Sequence, residues 1–246
     1  MPTRRLRDNR AAMNLLLLFD DDFVSETRVR LSGRRLEHVS NVHRAKVGDT
    51  LTVGVANGRV GTGAIVRLDE ALELEVTLDR DPPPKLPLTL VLALPRPKVL
   101  NRVIASAASL GVARIILINA WRVEKSYWKS PRLSDENLQL QRVLGLEQAR
   151  DTVLPPIESR RLFRPFIEEE LPEIARATLA LVAHPGGAIE CPRDVRQAVT
   201  LVIGPEGGFI EQEVASLERA GCTIVSLGAR ILRVETAVAA LVSRLF

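Results

Sequence analysis

Cysteine is almost absent from this chain. Cys191 and Cys222 are the only two, and they form neither a CxxC spacing nor the dense, even framework of a secreted scaffold. Neither a zinc ribbon nor a disulfide-held fold is indicated, and a reducing compartment fits best. No stretch approaches the ~20 consecutive apolar residues that cross a bilayer, which excludes a membrane-spanning helix. Repeats and low-complexity tracts are missing too. The N-terminus imitates a signal peptide, because Arg4, Arg5, Arg7 and Arg10 precede the apolar run Leu15 to Phe19. That run is short, lacks a small-residue cleavage site, and leads straight into Asp20, Asp21 and Asp22. The expectation is a cytoplasmic protein whose residues 1–12 form a disordered extension.

What is present is an ordinary soluble composition, 46% hydrophobic and 26% charged over 246 residues, enough chain for a small domain joined to a medium one. A formal charge of +4 and a pI near 9.5 favour polyanionic partners. The proline-rich stretch 81–87 is stiff and poor in backbone donors, so it reads as a linker. Before it, over 13–80, Leu51–Val53, Ala64–Val66 and the strictly alternating Leu72–Val76 predict strands, with Gly48-Asp49 and Asn57-Gly58 as turns. That is the pattern of a small β-barrel. After it, over 88–246, apolar runs at Leu88–Leu94, Ile115–Ile118, Leu179–Ala183, Leu201–Ile203 and Thr223–Val225 alternate with helical patterns, which predicts a parallel sheet covered on both faces. Helices are expected over Val99–Leu110, Ser134–Arg150, Glu211–Ala220 and Glu235–Phe246, with Gly111 and Gly221 suited to left-handed C′ positions. The last helix is apolar almost all round, which suggests that a second subunit covers part of it.

Two glycine-bearing segments follow buried strands. Gly204-Pro205-Glu206-Gly207-Gly208-Phe209 stands where open α/β sheets place ligands. Its glycine spacing is not that of a dinucleotide-binding loop, and it lacks the Gly-Lys-Ser/Thr ending of a phosphate loop. On its own it reads more readily as a plain strand-to-helix turn. Leu227-Gly228-Ala229-Arg230-Ile231-Leu232-Arg233-Val234-Glu235 follows the next strand. It also reads as a solvated edge, with Glu235 favoured in the first turn by the helix dipole. Two such loops at neighbouring strand ends are what a pocket of backbone groups and a few charges needs.

These segments, with Glu147-Gln148-Ala149-Arg150, Val153-Leu154-Pro155, Leu94-Pro95 and Lys98, and Arg44-Ala45-Lys46-Val47-Gly48-Asp49, resemble the RsmE family of ribosomal RNA uridine methyltransferases, of the trefoil-knotted SPOUT superfamily. The resemblance covers roughly 13–246. It implies a PUA-like β-barrel followed by a knotted α/β methyltransferase domain, a homodimer, S-adenosylmethionine as cofactor, and methylation of N3 of one uridine in small-subunit ribosomal RNA. It places the cofactor at His184 and Gly187, at Ile203, Gly204, Pro205, Glu206 and Gly207, and at Leu227, Gly228, Ile231 and Leu232. Val234 stands where family members often carry threonine, and Trp121–Ser130, with Lys125, Tyr127, Trp128 and Lys129, is unusual.

Uracil N3 is an imide nitrogen, so the enzyme must remove a proton or stabilise the anion left behind. Arg233 is the first candidate for holding that charge. Glu235 is expected to orient Arg233 or accept the proton, and Arg230 is the next candidate. No metal is required, since the sulfonium already activates the methyl group. RNA contacts are expected from Arg28, Arg30, Arg34, Arg35, Arg44 and Lys46, whose sequence neighbourhood holds few carboxylates, and from Lys98 and Arg150. Tyr127 and Trp128 suit a stacked base or a subunit interface equally. A knotted ribose 2′-O-methyltransferase and a non-catalytic RNA-binding module are the competing readings.

Overall fold

A computed structural model describes residues 14–42 and 45–246; the expected extension over 1–12, and Arg44, lie outside the described residues. The chain forms two units. One comprises the described residues up to Pro83 together with Leu146–Val153, the other Pro84–Gly145 and Leu154–Phe246.

The first unit is built on alternating strands. β1 (Leu16–Leu18), β2 (Arg28–Leu31), a helical turn α1 (Arg34–Glu37), β3 (Thr50–Val55), β4 (Val60–Leu68) and β5 (Leu72–Arg80) form a five-stranded sheet in the order β1-β3-β4-β5-β2. The run that imitates a signal segment is β1. It pairs parallel with β3, and Leu15 to Leu18 are fully buried. Two-residue periodicity sends Leu72, Leu74 and Val76 inward against Leu16, Val29, Leu31, Val53 and Ile65, each such side chain stabilising the fold by roughly 1.5–3 kcal/mol. The β3–β4 turn uses Asn57 at φ 59°, a left-handed conformation asparagine tolerates.

Two findings in this unit correct the sequence reading. First, Leu146–Val153 folds with it rather than with the second half. The buried Glu147 carboxylate accepts the Leu17 amide at 3.3 Å and the Arg34 guanidinium at 3.1 Å, and the Thr152 hydroxyl donates to the Gly58 carbonyl at 2.5 Å. Second, the arginines are not short of carboxylates. Antiparallel pairing sets Arg28 opposite Glu75 and Arg30 opposite Glu73, giving ion pairs at 3.3 and 3.0 Å. Arg35 grips Asp22 with both terminal nitrogens at 2.6 Å and also donates to the Leu17 carbonyl. These partners are distant in sequence, so counting near neighbours misses them. Lys46 is exposed and has no ion pair among the described residues.

The second unit contains β6 (Leu86–Ala93), α2 (Pro97–Ser109), β7 (Val112–Ile118), α3 (Asp135–Ala149, whose last turn belongs to the first unit), β8 (Ile157–Arg160), α4 (Phe163–Pro165), α5 (Leu171–Arg176), β9 (Leu179–Ala183), β10 (Ile189–Glu190), β11 (Val199–Ile203), α6 (Glu211–Arg219), β12 (Thr223–Ser226) and α7 (Val234–Leu245). Its seven strands run in the order β10-β12-β9-β11-β6-β7-β8, and each pair is parallel. β11 is buried along its whole length, as a strand covered on both faces must be. Its one polar side chain, Thr200, accepts the Thr178 hydroxyl at 2.9 Å. Pro97 opens α2 where no amide donor is needed, and Gly111 and Gly221 stand at φ 78° and 96° just past helix ends. Helix α7 turns Val234, Val238, Leu241, Val242 and Leu245 into the core and packs on α2. Thr236, Ala239 and Ser243 face outward. Its own unit therefore covers the large apolar side chains, and the surplus apolar surface expected on this helix is not there.

Candidate active site

Strand register brings the glycine loops together. Ile203 pairs with Ala183, and Ala183 with Val225, so β11, β9 and β12 end level. The loops that follow them, His184–Gly187, Gly204–Phe209 and Leu227–Arg233, meet at one edge of the sheet. They enclose a cavity of about 720 Å³, within the range of small-molecule sites.

All the residues expected at the cofactor line this cavity except Gly187, and so do Arg230, Arg233 and Glu235. Gly187 instead supports the wall from behind, where an added Cβ would lie 2.8 Å from the Val225 carbonyl carbon. Gly207 and Gly204 are less constrained, because side chains rather than backbone stand nearest. A Cβ would reach 2.9 Å from Arg122 Cδ at the first and 3.2 Å from the Phe209 ring at the second. His184 shapes its loop by accepting the Gly186 amide on Nδ1 at 3.1 Å.

The carboxylates are already engaged. Glu206 accepts the backbone amide of Arg96 at 2.9 Å and so ties the glycine loop to the start of α2. Glu235 receives the Arg102 guanidinium at 3.0 Å, which corrects the expectation that it orients Arg233. The side chain that meets it comes from α2, and nothing in the sequence near Glu235 announces it. Arg96, Arg102 and Arg122 are cavity residues the sequence reading missed. Arg122 donates to the Gly207 carbonyl. Arg96, Arg122, Arg230 and Arg233 are exposed and have no ion pair among the described residues, so four unneutralised guanidinium groups stand at the cavity. Beside them Ile231 is 82% and Leu232 37% exposed, apolar surface suited to a planar heterocycle.

The remaining expected contacts scatter. Lys98 and Arg150 are exposed and unpaired among the described residues, and neither lines the cavity. Trp128 is anchored through its indole N–H to Asn119 at 2.9 Å and stacks under Arg161. Burial, and then the Glu124 carboxylate that accepts its hydroxyl at 3.1 Å, push Tyr127 above the usual phenol range. Among the described residues no group of three histidine, cysteine or acidic side chains is placed to hold a metal ion.

Comparison with known proteins places this geometry. The model of the RNA methyltransferase domain family matches residues 82–246. The ribosomal RNA small subunit methyltransferase E of Treponema pallidum is 29% identical over 239 residues, covering 93% of this chain and 88% of that protein. The corresponding protein 1 of Borreliella burgdorferi is 26% identical over 226 residues, covering 92% and 94%. The crystal structure of the Neisseria gonorrhoeae small subunit methyltransferase E, bound to S-adenosyl methionine, superposes with a TM-score of 0.73 at 25% identity, over 94% of this chain and 95% of that one. A Legionella pneumophila structure shares the fold, with a TM-score of 0.74 at 24% identity over 95% and 96%.

Proposed function

Because this chain belongs to the RNA methyltransferase domain family, we propose that it methylates N3 of one uridine in the RNA of the small ribosomal subunit, with S-adenosylmethionine as the methyl donor. Dependence on S-adenosylmethionine and action on small-subunit ribosomal RNA follow from the relatives and from the cofactor-bound neighbour. The choice of N3 rests on one observation, the cluster of unneutralised arginines, Arg96, Arg122, Arg230 and Arg233, beside three converging glycine loops.

The cavity fits the cofactor. Its volume is adequate, its loops present backbone where glycine alone leaves room, and Ile231 and Leu232 offer an apolar face to adenine. When bound, S-adenosylmethionine supplies a methyl group already activated by a positive sulfonium. The protein then has to hold the uracil and its developing negative charge. The imide proton of N3 passes to solvent water at the cavity mouth while Arg233 donates to a flanking carbonyl oxygen and holds the negative charge left on the ring, and fixed donors of this kind act on transition-state charge. Arg230 lies three residues away for the same task or for a phosphate. Glu235 positions Arg102 at the wall, and Glu206 and Arg122 hold the glycine loop in shape.

The finer architecture is part of the same reading. The five-stranded unit serves as a PUA-like barrel for RNA, and Lys46 and Arg150 are its best-placed phosphate partners, since each is exposed and unpaired among the described residues; Lys98 on α2 is the corresponding candidate of the second unit. Arg28, in a half-exposed ion pair with Glu75, exchanges carboxylate for phosphate at little cost, whereas Arg30 is held by the mostly covered Glu73. Crossing of β11 and β12 to opposite sides of β9 supports a trefoil knot. A homodimer is part of the same reading, for which exposed Ile231 rather than α7 offers apolar surface. Two free, buried thiols suit the cytoplasm. The decisive experiment is nucleoside mass spectrometry of ribosomal RNA from cells with and without the protein. N3-methyluridine that disappears with the gene supports the reading; loss of a 2′-O-methylated nucleoside, or no change, refutes it.

A further inference from the structure

The segment after β7 carries an aromatic side chain that the methyltransferase reading does not use. Trp121 is 78% exposed, yet its backbone is held in place. Ala120 and Val123 on either side are buried, and a turn closes between them, with the Val123 amide on the Ala120 carbonyl at 3.0 Å. The Trp121 amide donates to the buried Glu213 carboxylate at 2.7 Å, and the same carboxylate holds the Ile210 amide at 3.1 Å where α6 begins. The result is an indole standing in solvent on a rigid base. Its neighbour Arg122 lines the cavity and bonds the Gly207 carbonyl, so the indole stands one residue from the cavity wall.

We infer that Trp121 is a stacking residue for an unpaired base of the RNA substrate, next to the nucleotide being methylated. The inference rests on the RNA methyltransferase reading and extends it to how the RNA is gripped. An N3 buried in a base pair must be exposed before it can react, and the nucleotides around a flipped base lose their own stacking partners. An exposed indole replaces that lost stacking whatever the base. Charge selects RNA over a second copy of the chain. Residues 121–132 carry Arg122, Lys125, Lys129 and Arg132 against the single carboxylate of Glu124. Lys125, Lys129 and Arg132 have no ion pair among the described residues. Two such segments repel each other, whereas phosphates neutralise them.

The test compares full-length wild type with Trp121→Ala and Trp121→Phe. Steady-state methylation of small-subunit ribosomal RNA should show KM raised roughly tenfold in Trp121→Ala, with kcat within about twofold, because stacking is worth about 1–3 kcal/mol per base. Trp121→Phe should recover most of the loss. Indole fluorescence should be quenched by a short unstructured RNA and much less by the same strand annealed to its complement, and Trp121→Ala, which keeps Trp128, should lose that quenching. An unchanged KM in Trp121→Ala overturns the inference while leaving the methyltransferase reading intact. Sedimentation showing that Trp121→Ala breaks a dimer, with RNA affinity per chain unchanged, overturns it in favour of a subunit contact. A wild type that binds S-adenosylhomocysteine but neither binds nor methylates RNA overturns the parent reading, and this inference with it.

Discussion

Replacing Arg233 with alanine separates chemistry from folding. Arg233 is the N-cap of α7, with φ −65° and ψ 151°, and its side chain makes no capping hydrogen bond. The guanidinium is exposed and unpaired among the described residues. Nothing is therefore left unsatisfied when it goes. A positive charge at a helix N-terminus is also opposed by the helix dipole, so its removal should be neutral or stabilising by a few tenths of a kcal/mol. The effect on rate runs the other way. If Arg233 meets charge that exists only in the transition state, its loss should lower kcat by about 10²-fold, roughly 2.7 kcal/mol, as for a lost oxyanion donor. The assay is single-turnover methyl transfer at saturating RNA and cofactor, beside a thermal melt of the same preparation. The expected result is an unchanged or slightly raised Tm with a crippled rate, and added RNA should not rescue it. Arg233→Ala reacting at the wild-type rate would refute the assignment and move it to Arg230. A large fall in Tm would show that the side chain is structural after all.

Arg35→Ala should behave oppositely. It strips two short hydrogen bonds from Asp22, whose side chain is only 10% exposed, so the folded state should lose about 2–4 kcal/mol, read by hydrogen exchange at the β1 and β2 amides. Restoration of stability by the double change with Asp22→Asn would confirm the cause, and undiminished protection in Arg35→Ala would contradict it. Gly187→Ala should weaken S-adenosylhomocysteine binding at least tenfold by calorimetry, because the new methyl meets Val225 backbone rather than a side chain that can rotate away; wild-type affinity would show that the loop yields. Arg114, with help from Arg160, holds the Glu158 carboxyl below its usual range. A depressed carboxylate stabilises above its unfolded pKa and loses that contribution as pH falls through its folded value, so Glu158→Gln should flatten the acid limb of the stability curve, and an unaltered limb would count against the pairing. Burial lifts the Cys222 thiol to about 11, so it should resist alkylation at neutral pH until the protein unfolds; rapid native labelling would show the site to be open.

The chain's local patterns determine much of what this protein is. Fully apolar strands can be satisfied only inside a sheet covered on both faces, so Leu179–Ala183 and Leu201–Ile203 are legible from composition alone. Gly111 and Gly221 mark helix ends because few other residues accept a positive φ. The glycine loops announce a close approach of backbone to ligand, and their place after strands locates it. Tertiary structure decided what depends on partners far away in sequence. Only strand register could show that Arg28 and Arg30 face Glu75 and Glu73, and only the packing of α1 against the turn after β1 that Arg35 belongs to Asp22. Only the fold of the second unit could bring Arg102 to Glu235 and Arg122 to Gly207, and only the packing of Leu146–Val153 could place Glu147 beside Leu17 and Arg34. Short strands such as β1 and β8 escaped notice because three or four residues hold too little periodicity to declare themselves. Apolar periodicity is a property of neighbours along the chain, whereas a charge takes its role from whatever the fold sets opposite it, and that is why the core was readable and the fate of the arginines was not.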